Sequence, residues 1–338
     1  MLVTEGSATV EVHEGEATRK LPVFYNKEMR LARDVAVYIA LKLKPKRALD
    51  GMAASGIRAI RLKKEAGMPE VVANDVNSLT TGLIAKNAAS NNVKLDIRCR
   101  EFNRLLSEEK PFDYIDIDPF GSPMPYVQGA CKNIAEKGII AVTATDLGVL
   151  YGRYPKKCKR LYGVLSSRTG PYKETAARIL IKSVQDIGLA NDKSLIPIFT
   201  HLSKHYLRVY FKACKEDIVS KHGDFYFCPK CLSTSKKECC GRCITTGKVW
   251  LGGLWDRKLA AEFTLINHLK SESTIDAVGY YSIPRIAKKY KLLSQGKIGE
   301  IINGLCDGGF KASRTHFDGQ GIRTNALVED VVKAVSSP

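Results

Sequence analysis

The stretch Asp113-Tyr114-Ile115-Asp116-Ile117-Asp118-Pro119-Phe120-Gly121 concentrates more potential chemistry than any other part of the chain. Read as a strand, its period of two puts Tyr114, Asp116 and Asp118 on one face, with the last carboxylate at the carboxyl end beside a Pro-Phe-Gly turn. A carboxylate, a carbonyl fixed by Pro119 and the flat ring of Phe120 suit a planar base that bears an amino group. The oxygens accept its N–H hydrogens and the ring stacks on its face. The plain alternative is a strand exit with no ligand.

A second candidate is Leu49-Asp50-Gly51-Met52-Ala53-Ala54-Ser55-Gly56-Ile57-Arg58, a strand, an acid, a turn of small residues and a helix. Small residues let backbone N–H groups approach a ligand at the carboxyl edge of a sheet, where open α/β folds bind cofactors. The run is neither G-x-G-x-x-G nor a phosphate-binding loop, since no Lys-Ser/Thr follows Gly56. Asp75 closes the next strand, where an acid can accept both ribose hydroxyls of a nucleoside. By itself the turn does not choose between a nicotinamide dinucleotide and S-adenosylmethionine.

Five of the ten cysteines crowd between Cys228 and Cys243. Two C-x-x-C pairs, Cys228 with Cys231 and Cys240 with Cys243, predict a structural Zn²⁺ held by four thiolates, with Cys239 as an alternative ligand. A redox pair is the competing reading, but nothing else suggests a thioredoxin unit. Between Tyr151 and Arg160, Arg153, Lys156, Lys157, Lys159 and Arg160 stand with two tyrosines and no acid. That run follows the fifth strand and is expected to border the pocket as a phosphate-binding rim, extended by Lys288, Lys289 and Lys291.

Positioning these residues requires alternating strands and helices. The pattern predicts a helix over Lys27–Leu43, then strands at Arg47–Asp50, Glu70–Asn74, Leu95–Cys99, Tyr114–Ile117 and Gly138–Thr143. Helices are expected at Ile57–Glu65, Ser78–Ser90, Tyr126–Glu136 and Glu174–Ile187. Such alternation gives a mostly parallel sheet covered on both faces. Leu195–His201 and His205–Lys212 follow as an antiparallel pair, an ending that suits a seven-stranded methyltransferase sheet better than a dinucleotide-binding one. Amphipathic helices are expected at Lys258–Lys270, Ser282–Tyr290 and Ile298–Leu305. The chain has 338 residues, with 53 Lys and Arg against 35 Asp and Glu, a net charge of +18 that favours a polyanionic partner. With 44% apolar and 26% charged residues it is a globular composition. Met1 to Lys20 lacks an apolar core for a secretory signal, and no apolar run reaches a membrane span. A cytoplasmic protein is expected.

The Asp-Pro-Phe-Gly run resembles the Asp/Asn-Pro-Pro-Tyr/Phe motif of amino-methylating methyltransferases. Taken with others in order, it makes the chain similar to the archaeal-type tRNA (guanine26-N2)-dimethyltransferase family. Phe24-Tyr25-Asn26 with Met29 to Asp34, Ala54 to Arg58, Asn74-Asp75-Val76-Asn77 and Asp116 to Gly121 carry the resemblance through the first half. Thr143 to Gly152, Lys159 to Val164, His205 to Val209, Ser313 to Phe317 and Gly321 to Ala326 carry it through the rest. Lys27 departs from the family's usual Pro, and Glu101-Phe102-Asn103 from a more usual Asp-Ala step.

The resemblance implies an α/β fold: a class I, Rossmann-like, seven-stranded methyltransferase sheet with a zinc knuckle and a smaller C-terminal α+β domain. It implies a methyltransferase domain over 1–226, a cysteine-rich zinc segment over 227–255 and a tRNA-engaging domain over 256–338. Arg33, Asp50, Ser55, Gly56, Arg58, Asp75, Glu101 and Phe102 would bind S-adenosylmethionine. Arg33 and Arg58 would contact its carboxylate, Asp75 the ribose, and Glu101 and Phe102 the adenine. Phe24 and Phe120 would border the target guanine, with Asp118 and Pro119 on its amino group. The implied reaction is mono- and then dimethylation of guanine N2 at position 26 of tRNA, with no membrane and no protein partner. Methylation of another or an adjacent guanine, a zinc-stapled RNA-binding protein without activity, and a nicotinamide-dependent oxidoreductase are the rivals.

Overall fold

The computed structural model describes residues 1–13, 23, 25–292 and 296–336. In chain order the elements are β1 (Leu2–Glu5), β2 (Ala8–Glu11), α1 (Arg30–Leu43), β3 (Arg47–Asp50), α2 (Ile57–Lys64), β4 (Glu70–Asn74), α3 (Ser78–Ser90), β5 (Asp96–Arg98), α4 (Phe102–Glu108), β6 (Phe112–Ile117), α5 (Met124–Asn133), β7 (Ile134–Ala144), α6 (Leu147–Leu150), α7 (Pro155–Tyr162), α8 (Tyr172–Leu189), β8 (Ser194–Leu202) and β9 (Leu207–Cys214). Then come β10 (His222–Phe227), β11 (Thr234–Ser235), β12 (Ile244–Trp250), α9 (Arg257–Glu262), α10 (Leu269–Glu272), β13 (Tyr281–Ser282), α11 (Ile283–Tyr290), α12 (Ile298–Asp307), β14 (Ala312–Thr315), β15 (Asp318–Thr324) and α13 (Val328–Ser336).

Seven strands form one mixed sheet in the order β5-β4-β3-β6-β7-β9-β8. The pairs around β3, β4, β5, β6 and β7 are parallel. Neighbours β8 and β9 are joined by only 203–206, too short for a crossover, so they run antiparallel. The Rossmann-like sheet with a terminal hairpin is therefore present. The buried strands read as Ala48-Leu49, Val71-Val72-Ala73 and Ile139 to Val142, apolar runs covered on both faces.

The chain divides into two compact units. One comprises Met1–Thr145, Val184–Ile196 and Arg208–Glu216; the other Asp146–Ser183, Pro197–Leu207 and Asp217–Pro338. In the first unit, a hairpin that is not among the expected elements precedes the sheet. Alternation in Ala8, Val10 and Val12 packs one face of β2 against Ile57, Ile60 and Ala88. The outer edge of β2 is closed by side chains rather than by a strand. Asn87 on α3 and Asn91 at its C-terminal cap, one turn apart, exchange amide hydrogen bonds with the backbones of Glu11 and Thr9 at 2.6 to 3.0 Å. These carboxamides supply the peptide partners that an edge strand lacks. Helix α5 stops at Asn133, short of Glu136, because Ile134 pairs with Phe112 in the sheet.

In the second unit, the antiparallel sheet β11-β10-β12 carries the cysteine cluster, and β13-β15-β14 packs against α11, α12 and α13. The single helix expected over Lys258–Lys270 is two, α9 and α10. Phe263 leaves helical geometry to pack 5.2 Å from the ring of Phe199, and His268 adopts a left-handed backbone. An unexpected ion cluster joins α8 to the last hairpin. Arg323 donates to Glu174 at 2.6 Å and to Glu272 at 3.2 Å, while Glu272 also faces His316 Nδ1 at 2.9 Å. Burial pushes the Glu272 carboxyl up, but His316, Arg323 and Thr315 outweigh it and hold it down at about 2. Thr315, His316 and Arg323 of the two C-terminal motifs thus belong to this buried cluster, while Ile322 and Ala326 pack into the apolar core.

Candidate active site

Asp50 and Asp116 are adjacent at the carboxyl ends of β3 and β6, and Asp118 follows two residues beyond Asp116. Helix α2, entered through the left-handed Gly56, brings Arg58 back over these strand ends. Arg58 donates to Asp116 at 2.7 Å and to Asp50 at 3.3 Å, and its other terminal nitrogen bonds Asp118. On the far side of Asp116, Arg208 of β9 donates through both terminal nitrogens, and the Tyr114 hydroxyl donates at 2.8 Å. Three carboxylates and two guanidinium groups thus form one cluster in which Asp116 and Arg208 are 0% exposed.

The charges act on one another. Burial pushes the Asp50 carboxyl up to about 6, with Asp116 and Asp118 adding to the rise against Arg58. Asp118 is also raised by burial, but Arg58 and Arg208 more than offset this and hold it below the usual carboxylate range. At neutral pH Asp118 is an acceptor of hydrogen bonds and a weak base. Pro119 is buried beside it, whereas Phe120 is 47% exposed. The turn is clamped by Thr145, whose hydroxyl accepts from Gly121 N–H at 2.6 Å and whose N–H donates to the Gly121 carbonyl at 3.0 Å. Gly121, at φ +91°, takes a backbone conformation that disfavours a side chain.

In the β3–α2 turn, packing of the chain against itself requires a glycine at 51. A Cβ on Gly51 would lie 2.2 Å from the ring of Phe102. Phe102 is buried and packs edge-on against Tyr126 at 5.5 Å. Ser55 is buried, its carbonyl accepting from Asn87. Asp75 accepts from Ala54 N–H at 3.1 Å and Asn77 N–H at 3.0 Å, which binds the two candidate cofactor turns together. Glu101 caps α4 by accepting from Asn103 and Arg104. Arg33 is buried against Glu5 in a two-pronged pair at 2.7 and 2.6 Å, and donates to the Asn26 carbonyl at 3.0 Å. Tyr25 also donates to Glu5 at 2.7 Å. Phe24 lies outside the described residues.

Two buried atoms test whether this turn suits S-adenosylmethionine. Asp50 Oδ2 and Arg58 Nε, an acceptor and a donor, have no partner among the described residues. One acceptor and one donor match the ammonium and carboxylate of a methionyl group, so the residues fit the cofactor.

The sulfurs of Cys228, Cys231, Cys239 and Cys240 all lie within 4.8 Å of one another. Cys231 is 3.6 Å from Cys239 and 3.7 Å from Cys240, near the edge of about 3.8 Å that a tetrahedral zinc–thiolate site has. Cys243 is 3.5 Å from Cys239 and accepts its N–H. Burial works against ionisation of Cys228, but the N–H groups of Cys231 and Lys230 bring its thiol down to about 6, towards the thiolate that binds metal. The donor set fits Zn²⁺. On α7, Cys158 and Tyr162 are buried while Lys156, Lys157, Lys159 and Arg160 are exposed, as is Arg153 just before the helix.

Sequence reasoning did not assign roles to Asp116, Arg208 or Glu5. The shared face of Tyr114, Asp116 and Asp118 was the available signal for the first. Arg208 and Glu5 are 92 and 28 residues from their partners, beyond any local pattern.

The pattern of the family described as N2,N2-dimethylguanosine tRNA methyltransferase matches residues 6–336. The chain is 33% identical to the tRNA (guanine(26)-N(2)/guanine(27)-N(2))-dimethyltransferase of Aquifex aeolicus, over 98% of this chain and 95% of that one. It is 32% identical to the tRNA (guanine(26)-N(2))-dimethyltransferase of Methanospirillum hungatei, over 99% of each. Among solved structures, Trm1 from Pyrococcus horikoshii in complex with S-adenosyl-L-methionine superposes with a TM-score of 0.89 at 29% identity, covering 100% of both chains. With a charged strand edge, a turn of small residues beside it and a matching pattern along nearly its whole length, this chain belongs to the N2,N2-dimethylguanosine tRNA methyltransferase family.

Proposed function

We propose that the chain transfers one and then a second methyl group from S-adenosylmethionine to N2 of guanine 26 in tRNA. The observation that carries this reading is the Asp118-Pro119-Phe120 turn, an ionised acceptor, a buried proline and an exposed ring at a strand end beside the Gly51–Gly56 turn. Bound cofactor supplies an electrophilic methyl on a sulfonium sulfur, which keeps the bonding electron pair. The amine of guanine is a poor nucleophile because its lone pair is delocalised into the ring. Asp118 and the Pro119 carbonyl accept its N–H hydrogens, which favours a more tetrahedral nitrogen and aims the lone pair. Phe120, with Phe24, borders the base. After transfer the nitrogen loses its extra proton to water, a step that needs no strong base.

Asp50, Ser55, Gly56, Arg58 and Asp75 hold the cofactor in this reading, with Arg33, Glu101 and Phe102 around them. Cys228, Cys231 and Cys240 hold Zn²⁺ with Cys239 or Cys243. Residues 1–226 act as the catalytic part, 227–255 as a zinc knuckle and 256–338 as the tRNA-engaging part, working in the cytoplasm. No helix among the described residues is long and apolar enough to cross a membrane.

The test is nucleoside mass spectrometry of unmodified tRNA transcripts incubated with protein and cofactor, with guanine or adenine at position 26. N2,N2-dimethylguanosine only from the guanine transcript is expected. The name of the Aquifex relative, which includes guanine 27, favours a second reading in which the neighbour is also modified. Product that persists in a transcript with adenine at 26 and guanine at 27 supports it.

A further inference from the structure

Asp118 faces its ligand from the end of a buried chain of charges. Its Oδ2 is bound by Arg58; Arg58 is held by Asp116; Asp116 is held by Arg208. Arg208 is anchored in turn by the Thr143 hydroxyl and, through Nε at 2.8 Å, by the Tyr210 hydroxyl, which donates to the Ala32 carbonyl on α1 at 3.1 Å. The chain therefore runs from α1 across β9, β7 and β6 to the carboxylate. Each guanidinium is a planar fork bound on more than one side, so its orientation is fixed as well as its charge.

The consequence differs between the two transfers. Before the first, the amine has two N–H groups, and Asp118 and the Pro119 carbonyl can each accept one. Before the second, a single N–H remains, so only one acceptor orients the nitrogen while its methyl takes the other position. A carboxylate that drifts costs the second transfer more than the first.

We propose that Arg208, with Asp116, is a positioning residue for Asp118 and that this buried chain sets the enzyme's capacity for the second methyl transfer. The proposal rests on the reading that Asp118 holds the N2 amine. Arg208→Lys keeps the charge but cannot serve Asp116, Thr143 and Tyr210 together. Tyr114→Phe removes only the 2.8 Å hydroxyl contact to Asp116 and leaves the ring in the core.

The experiment measures single-turnover rate constants on tRNA carrying guanine and on tRNA carrying N2-methylguanine at position 26, for wild type, Arg208→Lys, Tyr114→Phe and Asp118→Asn. The ratio of the second to the first does not depend on how much of a variant is folded. Arg208→Lys is expected to lower that ratio by about tenfold or more, and Tyr114→Phe to lower it less. A reading without cofactor uses 2-aminopurine at position 26, which bears the same 2-amino group. Its fluorescence change on binding is expected to shrink in both variants. Should Arg208→Lys not fold, Tyr114→Phe decides the matter by the same two measurements. Wild-type ratios and a wild-type fluorescence change in every variant that folds, while Asp118→Asn slows both transfers, would overturn the positioning role and leave the amine-holding role standing. Unchanged rates in Asp118→Asn would overturn both.

Discussion

Asp50 and Asp118 are two carboxyls of one cluster pushed in opposite directions. Asp118 gains more from Arg58 and Arg208 than it loses by burial, whereas Asp50 has one oxygen with no partner among the described residues and rises to about 6. Because the Asp50 pKa is raised, its charge is present above about pH 6 and is lost below it. If the free oxygen receives the cofactor's ammonium, affinity for S-adenosylmethionine should weaken as pH falls through about 6. Titration calorimetry between pH 5 and 8 should show this in wild type, and Asp50→Asn should bind weakly with no such dependence. A flat wild-type profile would remove Asp50 from the cofactor site. At this scale the sequence made Asp118, Asp75 and the cysteines legible through their types and spacing. The partners that tune them were not legible, because Arg208 reaches Asp116 only once the sheet has formed.

Elements were legible where apolar period and turn chemistry agreed. Strands β3 and β4 and helix α3 fall on the expected residues, since each is bounded by Gly, Pro, Asp or Asn signals. The β1–β2 hairpin was not: its strands are four residues each, and the buried Glu5 is compensated by Arg33 on α1 and Arg61 on α2, partners distant in sequence. Phe263 shows the same limit from the other side: helical spacing continues past it, but packing against Phe199 ends the helix. The cysteine segment gave its metal chemistry but left the ligand set open. Cys239 stands among the four convergent sulfurs, and Cys243 touches only its edge. Cys239→Ser should therefore lower zinc content and melting temperature more than Cys243→Ser does, measured by plasma emission spectrometry and circular dichroism. The reverse ranking would restore the two paired motifs as the ligand set.

At the scale of the whole molecule, the excess of 18 positive charges is the property most clearly matched to a polyanionic substrate. Displaced counterions make such binding fall linearly in log–log form with salt, and each phosphate contact adds somewhat less than one to the slope. Replacing Lys156, Lys157, Lys159 and Arg160 together by Gln should reduce that slope by about two to four for tRNA, while affinity for S-adenosylmethionine stays unchanged. An unchanged slope would move the tRNA contact away from α7. The claim on which the rest depends is narrower: that the strand-end carboxylate orients the amine that is methylated. Asp118→Ala and wild-type protein should be incubated in parallel with S-adenosylmethionine and a tRNA transcript carrying guanine 26, the nucleosides quantified by mass spectrometry and tRNA affinity measured on the same samples. The account predicts N2,N2-dimethylguanosine from wild type, a loss of at least about a hundredfold in the variant, and equal tRNA binding. Wild-type amounts of dimethylguanosine from Asp118→Ala would contradict it.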